Sequence, residues 1–125
     1  MGKLREFVHR LVTPVDEIQR EELAAFCEQM PTTSIVDVRP RQRVRVVGEI
    51  EYVRTVPRSG APSLEVGMTD GHHRVLAEFL GRRSVPGIQV GRRLIISGVA
   101  APEGRIYRIV NPEYELLPTP GRRDV

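Results

Sequence analysis

Apolar residues in the first part of the chain recur at helical spacing. Leu4, Phe7, Val8, Leu11 and Val12 share one face, which predicts an amphipathic helix over residues 3–12. Thr13-Pro14 then supplies a capping residue and a proline at the first helical position, with Asp16 and Glu17 as acids in the first turn. A second helix is expected through Ile18, Leu23, Phe26 and Cys27 to Met30, where Pro31 stops it.

From Ile35 onward the period changes to two, the spacing of strands. Arg43 to Val53 places Val44, Val46, Ile50 and Tyr52 on one face; Gly48 and the out-of-phase Val53 each suggest a bulge. Pro57, Ser59-Gly60 and Pro62 mark a loop. Leu64, Val66 and Met68 alternate through a second strand, Asp70-Gly71 reads as a hairpin turn, and Arg74 to Leu80 returns. Residues 81–87 read as irregular, with room for one short helical turn. A fourth strand is expected from Arg92 to Val99, a turn over Ala101 to Gly104, and a fifth strand from Arg105. That last strand runs into Val110-Asn111-Pro112-Glu113-Tyr114-Glu115-Leu116-Leu117, where Pro112 cannot donate to a ladder.

Five strands with a break between the third and fourth match the OB-fold, a small Greek-key barrel; an SH3-like barrel is the other reading of this pattern. The expected fold is therefore mainly β, a five-stranded OB barrel preceded by one or two helices. Residues 1–38 form a helical extension, 39–117 the OB domain and 118–125 a loose tail.

Charge follows the same division. Residues 1–38 carry 4 basic and 7 acidic side chains, while residues 39–125 carry 15 and 9, so the barrel is the basic part. Of 19 basic residues only Lys3 is lysine. Codon bias in a GC-rich genome produces such a skew, and so does selection for bidentate phosphate contacts. A basic domain of this kind is compatible with nucleic acid. No apolar run is long enough for a membrane span. The one cysteine, Cys27, excludes an internal disulfide, and the start of the chain lacks the uncharged core of a signal peptide, so the protein is read as cytoplasmic.

The order Val44-x-Val46-x-Gly48-x-Ile50, Thr69-Asp70-Gly71, Phe79, Gly91-x-x-Leu94-x-Ile96-x-Gly98 is similar to bacterial OB domains of the anticodon-binding and helicase-associated kind. The closing Val110-Asn111-Pro112-Glu113-Tyr114-Glu115 resembles the end of the OB wedge domain of RecG helicases, where a His-Pro-Glu motif closes the barrel. Asn111 stands here in place of that histidine. The resemblance covers residues 40–117 and implies binding of DNA rather than RNA. It does not carry over helicase activity, because no G-x-x-x-x-G-K-[ST] loop exists to cradle ATP.

An OB-fold binds its ligand across strands 2 and 3, between the 1–2 and 4–5 loops. Arg54 and Arg58 belong to the first loop, Arg105 follows the second, and Arg74 opens strand 3 beside His72-His73. Arg82, Arg83, Arg92 and Arg93 flank the irregular connection and are candidates for one basic patch. Tyr52 and Tyr107 are candidates for base stacking, with core or rim packing the favoured role for each of them and for Tyr114. With no Trp, 3 Phe and 3 Tyr, the chain is poor in stacking residues. Glu65 and Glu78 are expected on the binding face, where they would repel phosphate. No His, Cys or carboxylate set has ligand spacing for a metal, and no serine has a nucleophile-elbow context. The expectation is a binding protein without cofactor, not an enzyme. Its partner is single-stranded or branched DNA held by arginine–phosphate contacts; the alternatives are a protein partner, engaged through the barrel or the N-terminal helices, and RNA binding of the anticodon type.

Overall fold

The computed structural model describes residues 17–118, so the expected 3–12 helix, the Thr13-Pro14 helix start and most of the expected 118–125 tail lie outside the described residues. Residues 17–28 are helical, followed by a single 3-10 turn at Ile35–Asp37. Six strand segments follow: β1 (Arg43–Val56), β2 (Ser63–Thr69), β3 (Arg74–Leu80), β4 (Arg93–Glu103), β5 (Ile106–Val110) and β6 (Glu113–Leu116). Their order is β1-β2-β3-β5-β4-β6, and an additional β1–β4 pairing closes the first five on themselves. All neighbours are antiparallel except β3 and β5. The molecule is mainly β, with a closed five-stranded sheet and one described helix.

Closure depends on a long, bent β1. Its first half pairs with β4 and its second half with β2. Where it changes partner, a Cβ on Gly48 would lie 2.7 Å from the Thr69 carbonyl oxygen, so the close approach needs glycine. The bulge itself falls at Glu51, between the pairs Ile50–Met68 and Tyr52–Gly67. One extra residue flips every later side chain to the other face. Val53 therefore packs on the core, while Tyr52 leaves the face it was expected to share with Ile50 and turns outward.

Inside the closed sheet, Val46, Ile50, Val66, Met68, Val75, Leu94, Ile96 and Ile109 are essentially inaccessible to water. Each such aliphatic side chain stabilises the fold by about 1.5–3 kcal/mol. The expected Asp70-Gly71 hairpin is a four-residue connection. Asp70 Oδ1 accepts from the His72 and His73 amides at 3.0 and 2.7 Å, and Gly71 takes a φ of 102°.

The expected fifth strand is divided. Val110, Asn111 and Pro112 stand opposite only Gly98 and Val99 of β4, and pairing resumes at Glu113 as β6. Asn111 adopts a φ of 48° and donates its N–H to the Glu78 carbonyl at 2.7 Å. Its side-chain oxygen accepts from the Leu80 amide at 2.9 Å, finishing β3. Pro112 thus occupies a bulge, buried, where no ladder hydrogen bond is required. The expected turn at Ala101–Gly104 is strand as far as Glu103, leaving a tight Gly104-Arg105 hairpin.

Candidate nucleic-acid interface

The outer surface of the sheet has two halves with different cover. Over β1 and β4, Val47, Ile95 and Leu117 pack against Phe26, Cys27 and Met30 of the helical segment. Arg93 is committed to this contact: its guanidinium lies 4.6 Å from the Phe26 ring centroid, and its Nε donates to Glu49 Oε1 at 3.3 Å. Arg92 donates to the Leu117 carbonyl at 3.4 Å. These two arginines contact the helix and Leu117, just past the last strand, whereas Arg82 and Arg83 make no hydrogen bond or ion pair with any described residue. Burial, with Asp70 adding to it, pushes the Cys27 thiol up to about 11, so it stays protonated at neutral pH.

Over the end of β1, β2, β3 and β5 the cover is a network of side chains. Glu65 and Glu78 are directly opposite each other on β2 and β3, and each is only 3% exposed. Two carboxylates so placed repel strongly unless cations stand between them. Arg108 of β5, level with Leu76 of β3, does so: it donates to Glu78, to Glu65 Oε1 at 3.1 Å, and to Glu103. Arg54 Nε reaches Glu65 Oε2 at 2.6 Å, and Arg58 grips Glu78 with two bonds at 2.9 and 3.2 Å. The Tyr52 hydroxyl donates to Glu65 at 3.3 Å. Its ring lies on Gly67, where a Cβ would come 2.0 Å from ring carbon Cε2.

Protonation follows from these contacts. Burial alone would raise both carboxyls, but hydrogen bonds and charge from Arg54 and Arg108 hold Glu65 below the ordinary range, and those from Arg58 and Arg108 do the same for Glu78. Hydrogen bonding to Glu103 and to the buried pair raises Arg108 against the effect of its burial. The expectation that Glu65 and Glu78 would project negative charge is therefore corrected. Three arginines and three glutamates leave this face neutral.

Free positive charge sits at its ends. Arg82 and Arg83 follow the end of β3, and Arg105 occupies the hairpin that leads into β5, level with the start of β3. All three are exposed and make no hydrogen bond or ion pair with any described residue. The seven residues of β3 separate the two ends by about 20 Å. Arg74, at the Arg105 end, is paired with Glu51 at 2.9 Å yet largely exposed. Tyr107 packs on the core rim, as does Tyr114, whose hydroxyl donates to the Pro86 carbonyl. Of the two proposed stacking residues, only Tyr52 lies on the outer face.

Sequence reading missed Arg108 and Glu103. The available signal was the polar member of Ile106-x-Arg108-x-Val110, a strand position that alternates with Tyr107 and Ile109.

The fold has a counterpart among solved structures. A structure described as RecG bound to a three-way DNA junction is 21% identical, with a TM-score of 0.55 over 68% of this chain and 12% of that one. The chain thus spans about an eighth of the protein it resembles. No family model matches the sequence, and no curated protein does. What is similar is the fold, to part of a RecG structure.

Proposed function

We propose that this chain is an OB-fold domain of the RecG wedge kind that binds single-stranded or branched DNA across β2, β3 and β5, and that it acts by binding without catalysis. The connectivity β1-β2-β3-β5-β4, closing on β1, supports the OB assignment. The neighbour's description as DNA-bound favours DNA over RNA. The observation that carries the reading is the placement of unpaired Arg82, Arg83 and Arg105 at the two ends of a neutral face. Phosphates dock at the ends, while the unbonded edges of Arg54, Arg58 and Arg74 and the Tyr52 ring line the path between. None of these contacts reads a base edge, so sequence preference is slight. No described helix is long and apolar enough to cross a membrane, and the proposed setting is the cytoplasm.

A protein partner is the second reading, favoured by one feature. Exposed Val99 and Val110 share a shallow groove with Asn111 and Ala101, and Leu80 is exposed at the end of β3.

Salt titration of binding to single-stranded, duplex and forked DNA, with RNA alongside, separates them. Three unpaired arginines predict that log K falls with log salt at a slope of about −2 to −3. Replacing Arg82, Arg83 and Arg105 with alanine flattens the slope by about one unit per residue. If no nucleic acid binds even at about 20 mM salt, where screening is weak, the proposal is wrong and the groove beside Val99 and Val110 becomes the site to probe.

A further inference from the structure

The neutral network is lopsided in its exposure. Glu65 and Glu78 are buried, whereas the Arg54 and Arg58 side chains they hold are 65% and 45% exposed. Either arginine can turn its bonded donors to a phosphate only by leaving a buried carboxylate short of a partner, which is strongly disfavoured. Arg108 cannot compensate, because it already serves both glutamates and Glu103. We infer that Glu65 and Glu78 act as a charge filter: they withhold Arg54 and Arg58 from a lone strand and yield them to converging backbones, as at a fork. The inference rests on reading this face as a nucleic-acid surface.

Local phosphate density decides the exchange. A single backbone offers a weaker local potential than two or three that meet, and the arginines respond to the stronger field. The glutamates then cost affinity for every ligand, but cost most for single strands. Their burial in the middle of the face, which a phosphate-binding surface does not need, finds a use as selectivity by differential affinity.

The test compares the native chain with E65Q/E78Q and with E103Q, whose side chain is half exposed and whose loss leaves the buried pair intact. Each binds a single strand and a fork of equal phosphate count at about 50 mM salt. The filter predicts that E65Q/E78Q binds the single strand about tenfold tighter, with a salt slope steeper by about one unit per arginine released. The preference for the fork shrinks correspondingly. E103Q moves the single strand in the same direction by about two- to threefold, and decides the matter if the double variant fails to fold. A folded E65Q/E78Q that binds the single strand no tighter overturns the filter, as does an unchanged E103Q when only that variant folds. In either case the nucleic-acid reading stands as long as the native chain binds. If the native chain binds nothing, not even the fork, and E65Q/E78Q does bind, the glutamates block every ligand alike, and both the filter and the native nucleic-acid reading are overturned. Absence of binding by both overturns both.

Discussion

Replacing Arg108 with methionine lowers the unfolding free energy by about 3 kcal/mol, measured by urea denaturation. That is the low end for a broken buried ion pair, because Arg54 and Arg58 each still hold one carboxylate. What is lost is the cation between Glu65 and Glu78, which face each other across β2 and β3. Adding Glu65→Gln and Glu78→Gln to the Arg108→Met variant restores most of the stability, since neutral partners leave nothing to compensate. A loss under about 1 kcal/mol, within the range of surface ion pairs, would mean that the network is not the centre of this face. The same contacts set the acid limit of the fold. Both glutamates are held below the ordinary carboxyl value of 4.5 when folded. Their contribution is therefore complete above about pH 4.5 and disappears as pH falls through the lower folded values. Arg108→Met narrows that window, because the carboxyls lose hydrogen bonds that depress them.

Gly71→Val costs about 2–4 kcal/mol, through backbone strain and a clash that act together. Gly71 takes a φ of 102°, which side chains with a Cβ rarely adopt, and a Cβ there would lie 2.4 Å from the Arg20 main-chain oxygen. The helix must lift from the β2–β3 turn to make room. Cys27 reports that movement. Its thiol contacts the Val47 carbonyl at 3.8 Å and is pushed up to about 11, chiefly by burial. Exposure returns it towards its ordinary value, so reaction with an aromatic disulfide at pH 8 accelerates about tenfold. A variant of unchanged stability and unchanged thiol reactivity would show that the turn does not seat the helix.

Most of the strand pattern was legible because one face of each strand is buried, and burial imposes period two. β3 was expected from Arg74 to Leu80 and runs between those residues. The errors arise where local pattern and long-range pairing diverge. Val53 signalled a bulge, but only the pairing with β2 places it at Glu51 and so turns Tyr52 outward. Pro112 marked trouble in the last strand, yet its bulge depends on the register with β4. The site was less legible for the same reason. Arg108 meets Glu78 and Glu65 across separations of 30 and 43 residues, so no window of sequence shows that those charges cancel. Arg92 and Arg93 looked as free as Arg82 and Arg83; the docked helix and the last strand decide which pair is spent.

The proposed path of DNA runs across β2, β3 and β5. It is tested most directly by titrating isotope-labelled protein with a forked DNA and following backbone and arginine side-chain resonances. Shifts are expected for Arg82, Arg83 and Arg105 at the two ends and for Tyr52, Arg54 and Arg58 between them. Phe26, Ile95 and Leu117, under the helix, stay still. Shifts concentrated on the helix-covered half, or none at a saturating excess of DNA, would contradict it.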